Sequence, residues 1–157
     1  MNIGFIADNS KKRLLEDFCI AYHGILSEHS LYATGTTGRI MEKAANLNVY
    51  KFLAGSIGGV QQMEIFIEQS RLDMLIIFKD AGLMPQEAED IFDIFRACDI
   101  FSIPLATNLA TAEMLIKSLA SGDLAWREMY RSDSICKTQE KKECQPEEDD
   151  AGATVYF

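Results

Sequence analysis

The sequence predicts an α/β fold: a three-layer, doubly wound parallel sheet of five strands with helices on both faces. Apolar strand-like runs alternate five times with amphipathic helical runs, the pattern that produces a parallel sheet. The strongest strand candidate, 72–78, shows no polar alternation, as expected for a strand that is covered on both faces. The length of 157 residues suits one domain with a substantial core.

Each predicted strand is a short apolar run bounded by polar or glycine-containing segments. The five predicted strands are 2–7, 31–33, 50–53, 72–78 and 101–106. Between them, apolar residues recur at the spacing of one helical face. Six helices are predicted. Four have the ranges 39–47, 60–70, 86–98 and 123–130. The other two are placed by their capping residues, which are Asn9 or Ser10 for the first helix and Asn108 for the helix after the fifth strand.

Charge and hydropathy exclude several classes of protein. The net charge of -9 and the pI of about 4.7 argue against non-specific nucleic-acid binding, which depends on clustered Lys and Arg. No apolar run approaches the about 20 residues that a membrane-spanning helix needs. Apolar residues precede the first positive charges at Lys11 and Lys12, the reverse of a secretory signal. We therefore expect a cytoplasmic protein with reduced thiols.

Composition changes after about Arg131, which divides the chain into a predicted domain at 1–131 and a tail at 132–157. The tail is acidic and poor in apolar residues, so we expect it to be disordered. Cys136 and Cys144 lie there at a spacing that does not match a zinc-binding pair. The sequence therefore predicts neither a metal site nor a cofactor.

The run Thr-Gly-Thr-Thr-Gly at 34–38 is the sharpest candidate for a binding site. It lies between a predicted strand and a predicted helix, where parallel sheets bind their ligands. Its hydroxyls, its glycines and the N–H groups of a helix N-terminus suit a phosphate. The alternative is a plain turn with capping threonines.

Positive charges at the start of the first helix point to the same kind of ligand. Lys11, Lys12 and Arg13 fall in its first turn, where cations oppose the helix dipole unless an anion is near. Lys12 is the candidate for holding the phosphate, and the alternative is a set of solvated charges.

Further candidate groups follow the other strands. The run Gly-Gly-Val-Gln-Gln at 58–62 opens a helix, and its two glycines permit close approach of a ligand. Asp80 follows the central strand, so its carboxylate is expected at the rim of the crevice. Glu87, Glu89 and Asp90 come soon after, although helix capping explains most acidic residues at such positions.

Together these stretches resemble the methylglyoxal synthase family. The resemblance rests on 31–38, 58–62, 75–78 with Asp80, 103–108 and 110–112, and it runs from about Asn2 to about Lys117. It implies a compact α/β fold, a homohexamer and a lyase that converts dihydroxyacetone phosphate to methylglyoxal and phosphate. In that reaction a carboxylate removes a carbon-bound proton. The resemblance implies substrate phosphate contacts from Lys12, Thr34, Gly35, Thr36, Thr37 and Gly55.

The chain departs from the family at the positions that carry the chemistry. The family's base is an aspartate between Gly-Gly and Gln-Gln, and Val60 stands there. The family's Ala-His-Asp becomes Ala-Asp-Asn, with Asp8 and Asn9 at the changed positions. The histidine expected after the central strand aligns with Glu87, and an expected serine aligns with Ala54.

The sequence therefore predicts a member that binds a small phosphorylated metabolite or nucleotide but is catalytically impaired. Loss of a positioned base lowers the rate by about 10²–10⁴. The alternative is an active methylglyoxal synthase in which Asp8, Asp80 or Glu87 serves as a relocated catalytic base. A changed reaction on a phosphorylated ligand, or a structural subunit whose tail recruits a partner, also stays open.

Overall fold

The computed structural model describes residues 1–82 and 89–131. Its strands are β1 (Asn2–Ala7), β2 (Ser30–Ala33), β3 (Val49–Lys51), β4 (Met74–Phe78) and β5 (Leu105–Ala106). Its helices are α1 (Lys12–Ala21), α2 (His23–Leu26), α3 (Gly35–Ala45), α4 (Gly59–Glu68), α5 (Glu89–Ile100) and α6 (Leu109–Ser121). Residues 126–131, the last that the structure describes, are helical as well. Within these two ranges, no helix is both long and apolar enough to cross a membrane.

The strands form one parallel sheet in the order β3-β2-β1-β4-β5. The chain winds outward from β1 to β3 and then continues on the other side of β1 with β4 and β5. This reversal makes β1 and β4 the switch point of the sheet, and ligands of such sheets bind outside the carboxyl ends of the strands there. The predicted doubly wound, five-stranded fold is confirmed.

Helices cover both faces of the sheet. Helices α1, α3 and α6 pack on one face, and α4 and α5 pack on the other. Alternate residues of the central strands serve the two cores: Phe5 and Ile76 point to the first, while Ile6 and Ile77 point to the second. Because both faces of β4 are covered, all five of its residues are buried, which explains its uniformly apolar sequence.

Two of the four cysteines lie in the described domain, and both are core residues. Cys19 belongs to the first core and Cys98 to the second. Burial raises the pKa of each thiol to about 12, so neither ionises at neutral pH. Cys136, Cys144 and the rest of the predicted tail at 132–157 lie outside the described residues.

The predicted boundaries differ most from the structure at α3 and at β5. The segment 34–38 is the beginning of α3, with Thr34 as the extended N-cap residue at φ -60° and ψ 151°, and not a loop before the helix. The fifth strand has two residues in place of the predicted 101–106. Helix α5 continues to Ile100, and the following turn places Ser102 at a φ of 51°.

Helices α1 and α6 differ in how their N-termini are capped. Residues Asn9–Lys11 form a short 3-10 turn ahead of α1, and neither of the predicted caps, Asn9 or Ser10, caps the helix through its side chain. By contrast, Asn108 caps α6 as predicted, because its side-chain oxygen accepts from the Thr111 N–H at 3.0 Å.

The last described residues are anchored at the amino end of β4. Arg131 Nη1 donates to Asp73 Oδ2 at 2.5 Å, and the Asn2 N–H donates to the same oxygen at 2.7 Å. Asp73 is fully buried, so this pairing compensates a carboxylate that has lost its water. This end of the sheet is opposite the carboxyl ends of the strands.

Two adjacent glycines let α4 begin against the chain that follows β3. Gly58 has a φ of 107°, which L side chains rarely adopt. A Cβ atom on Gly59 would lie 1.9 Å from the Leu53 carbonyl oxygen. The Gly59 N–H also donates to the Ala54 oxygen at 3.0 Å, so the close approach is fixed by a hydrogen bond.

We expect Gly59→Ala to lower the free energy of unfolding by at least about 1–3 kcal/mol, because the added methyl group overpacks rigid backbone. Gly24→Ala is the matched control, since a Cβ atom there meets nothing within 4 Å. We expect it to be neutral or to stabilise by up to about 1 kcal/mol. Urea unfolding measures both, and equal midpoints for the two variants would show that the approach to Leu53 is not constrained.

Candidate functional site

A cavity of about 650 Å³ opens at the carboxyl ends of β1, β2 and β4, beside the switch point. Its size suits a small molecule. Both polar and apolar side chains line it. Its polar lining includes Asp8, Ser10, Thr34, Thr36, Thr37, Lys79, Asp80 and Asp90, and its apolar lining includes Ala54, Val60 and Ile91.

A second cavity of about 690 Å³ lies near the amino ends of β2 and β3. Both histidines, His23 and His29, line it. Parallel sheets of this kind place their ligands at the carboxyl ends of the strands. The cavity beside β1 and β4 is therefore the candidate site.

The threonines at the end of β2 form a fixed pair of hydroxyls. Thr34 Oγ1 and Thr37 Oγ1 lie 2.9 Å apart, and both side chains are buried. The Ala7 N–H donates to Thr37 Oγ1 at 3.1 Å. When Thr37 in turn donates its proton to Thr34, the Thr34 hydroxyl is free to donate to a ligand in the cavity.

The first turn of α3 adds further donors. The N–H groups of Thr36 and Thr37 belong to the turn whose amides have no carbonyl partner within the helix. The first helical bond joins the Gly38 N–H to the Thr34 oxygen at 2.8 Å. The exposed Thr36 side chain lines the cavity as well. A helix N-terminus with hydroxyl groups around it is a favourable place for a phosphate.

Gly35 has a structural task in the same turn. Its N–H donates to the Leu53 oxygen at 2.9 Å, and a Cβ atom on it would lie 3.0 Å from the Phe52 oxygen. The glycine therefore lets α3 pack against the chain after β3. Its predicted phosphate contact would have to replace the bond to Leu53.

Asp8 joins the loops that follow the two central strands. Its N–H donates to the Phe78 oxygen at 2.9 Å, and its Oδ2 accepts from the Asp80 N–H at 2.8 Å. Its other carboxylate oxygen lies 3.9 Å from Lys79 Nζ. The Asp8 carboxylate is thus held in place by backbone bonds and still lines the cavity.

Asp80 is a second carboxylate in the cavity, and its surroundings favour the ionised form. The Gly82 N–H, the Ser10 hydroxyl and the positive charge of Lys11 hold the pKa of the Asp80 carboxyl below its ordinary value. Its Oδ1 accepts from the Gly82 N–H at 3.0 Å. The group is therefore charged at neutral pH, and it binds a proton more weakly than an ordinary carboxylate does.

Val60 is the side chain that the segment 58–62 contributes to the cavity. Its Cγ2 lies 3.6 Å from where a Cβ atom on Gly55 would stand. Gln62 does not line the cavity, and its Oε1 accepts from the Leu53 N–H at 2.7 Å. The segment therefore fixes the neighbouring loop through Gly59 and Gln62, and it presents an apolar group to a ligand.

The structure brings most of the predicted site residues together. The ones that line the cavity are Asp8, Asp80, Thr34, Thr36, Thr37 and Gly55. Lys12 is exposed and is not among the lining residues, so its predicted phosphate contact stays a prediction. Glu87 lies outside the described residues. Sequence reasoning missed Lys79, whose signal is its position directly after β4 and before Asp80.

The chain matches known proteins along most of its length. Residues 15–107 match a family model described as "MGS-like domain". A methylglyoxal synthase from Caldicellulosiruptor saccharolyticus is 50% identical over 129 residues, which cover 82% of this chain and 92% of that protein. One from Listeria welshimeri is 44% identical over 133 residues, which cover 85% of this chain and 99% of that protein.

A solved structure agrees with these matches. The crystal structure of methylglyoxal synthase from Elizabethkingia anophelis is 32% identical and superposes with a TM-score of 0.68. The match covers 73% of this chain and 76% of that one. The chain therefore belongs to the methylglyoxal synthase family, whose members share the MGS-like domain.

Proposed function

We propose that the cavity beside β1 and β4 binds a small phosphate ester, either dihydroxyacetone phosphate or a related metabolite or nucleotide, and that lyase turnover is impaired. One observation carries the proposal: phosphate-binding groups and an apolar side chain line the same cavity. Thr34 and Thr36 provide the first, and Val60 provides the second.

The phosphate half of the proposal rests on the end of β2. Two hydroxyls and two N–H groups converge at the N-terminus of α3, which carries about half a positive charge. The Thr34 and Thr37 hydroxyls are already oriented by their contact and by the Ala7 N–H. Little order is lost when an anion binds, because the donors are held before it arrives.

The expectation of impaired lyase turnover rests on the residue at position 60. Family resemblance puts the proton-abstracting carboxylate there, and valine accepts no proton. A replacement base must come within about 3–3.5 Å of the substrate carbon in good alignment, a demand that carboxylates elsewhere in a site seldom meet. Binding and turnover are therefore expected to be separated in this chain.

The second candidate is an active methylglyoxal synthase with a relocated base. The names of the relatives, at 44–50% identity, favour this candidate over the first. The cavity also holds the carboxylates of Asp8 and Asp80, which are fixed by backbone hydrogen bonds. A turnover assay decides between the two.

We further propose a cytoplasmic homo-oligomer, a hexamer by family resemblance. Large apolar side chains that a single chain leaves exposed support association: Tyr50 at 61%, Ile57 at 66% and Ile65 at 49%. Light scattering coupled to size-exclusion chromatography tests it, and a monomer at micromolar concentration would contradict it.

We expect kcat/KM for the conversion of dihydroxyacetone phosphate to methylglyoxal to lie at least about 10²-fold below that of the Caldicellulosiruptor saccharolyticus relative. Val60→Asp is expected to raise turnover, because it adds a carboxylate in the cavity. Val60→Asn is the matched control, with similar shape and no base, and should not raise it. Wild-type turnover equal to that of the relative would reject the impaired reading in favour of an active lyase.

If the second candidate holds and Asp80 is the base, activity should persist to unusually low pH. The base works only when deprotonated, and the pKa of the Asp80 carboxyl is lowered, so the acid limb of the pH–rate profile should lie below the ordinary carboxyl value. Asp80→Asn should abolish turnover, while Asp17→Asn, at an exposed position of α1 that does not line the cavity, should preserve most of it. An acid limb near neutral pH would exclude Asp80 as the base.

Thr36→Val is expected to weaken the binding of inorganic phosphate about 10–100-fold, the loss that accompanies one hydrogen bond to a charged group. Thr107→Val is the matched control, because Thr107 is exposed and does not line the cavity. Thermal-shift titration measures both, since a ligand that binds only the folded state raises the melting temperature. Equal phosphate affinities would place the anion elsewhere.

A further inference from the structure

Lys79 is a cavity residue to which neither the motifs nor the family resemblance assigns a role. It follows β4 directly, and its side chain is 28% exposed. Among the described residues that line the cavity, it carries the one positive charge, against the carboxylates of Asp8, Asp80 and Asp90. A phosphate ester adds further negative charge, which the half charge of a helix N-terminus does not balance.

The contacts of Lys79 leave its ammonium group available. Its Nζ lies 3.9 Å from Asp8 Oδ1, beyond hydrogen-bond distance, so that ion pair does not occupy its N–H donors. The Asp8 carboxylate already accepts the Asp80 N–H on its other oxygen. An ammonium group has three donors, and a ligand oxygen in the cavity can accept from them.

Other lysines near the site are placed for different tasks. Lys12 is exposed and does not line the cavity. Lys11 acts on Asp80, whose carboxyl pKa it helps to lower. Neither observation puts a second ammonium group inside the cavity.

The sheet order places Lys79 away from the threonines. It follows β4, the threonine pair follows β2, and β1 lies between these strands. Neighbouring strands are about 4.8 Å apart, so the ends of β2 and β4 are separated by about 10 Å. Lys79 and the threonines line the same cavity, so a phosphate held at the end of β2 leaves space in it for the carbon chain of its ester to extend towards β4.

We propose that Lys79 binds a carbonyl or carboxylate oxygen on the carbon chain of the ligand, beyond the ester oxygen that carries the phosphate. The preferred ligand is then a phosphate ester with a carbonyl or carboxylate oxygen a few bonds from the phosphorus, and not an alkyl phosphate. Lys79 acts as a specificity-determining residue. This inference rests on the proposed phosphate-ester binding.

The test compares two ligands of the same length, dihydroxyacetone phosphate and n-propyl phosphate, which has no oxygen on its carbon chain beyond the ester. Isothermal titration calorimetry on the full chain gives both affinities. We expect Lys79→Met to weaken the binding of dihydroxyacetone phosphate about 10–100-fold, which is the effect of losing one hydrogen bond to a charged group. The affinity for n-propyl phosphate should fall by several-fold less, because this ligand loses only the attraction between the Lys79 charge and its distant phosphate, which salt screens.

Two further variants complete the design. Lys79→Arg keeps the positive charge and should recover part of the affinity for dihydroxyacetone phosphate. Lys117→Met removes an exposed lysine outside the cavity and should alter neither affinity. Circular dichroism establishes that each variant is folded.

The outcomes separate this inference from the function on which it rests. If Lys79→Met weakens the binding of both ligands equally, Lys79 binds the phosphate, and the proposed contact with the oxygen on the carbon chain is wrong. If it weakens neither, Lys79 has no ligand contact. If the wild-type chain binds neither ligand, the phosphate-ester function itself fails, and the specificity proposed for Lys79 falls with it.

Discussion

The parallel pairing of β1 with β4 is the contact on which the rest of the molecule depends. Residues Ile3 to Ala7 lie beside Met74 to Phe78, and the two strands contribute side chains to both hydrophobic cores. Because the winding of the chain reverses between them, a crevice forms outside their carboxyl ends, where sheets of this type bind ligands. Asp8 then ties the two strand ends together through Phe78 and Asp80. Every group in the cavity is positioned relative to this pair.

The fold was predictable because its strongest signals are local. The uniformly apolar β4 and the repeated change from strand-like to helical periodicity reflect burial on two faces, which any sheet of this type requires. The ends of elements were less predictable. Glycine and threonine at 34–38 suit a loop chemically, yet Thr34 is an N-cap residue. The fifth strand is short because Pro104 has no N–H to donate, and because Ser102 turns the chain just before it.

The site was predictable where strand ends alone determine position. Thr34, Thr36 and Asp80 follow strands, and the carboxyl ends of parallel strands share one edge. The contacts of Lys79 and Gln62 depend on partners distant in sequence or on side-chain direction, which composition does not reveal. The predicted phosphate contact of Lys12 stays open, because a place in the first helical turn does not determine which way a side chain points.

The anchoring of Arg131 on Asp73 has a practical consequence for handling the protein. Asp73 precedes β4, whose five residues extend about 16 Å to the ligand side of the sheet. A fluorescent label or an affinity handle attached at the exposed Met129, two residues before Arg131, would therefore join the described domain at the end of the sheet opposite the crevice. Immobilising the chain on a sensor chip by that end would keep the binding face turned towards the flowing solution.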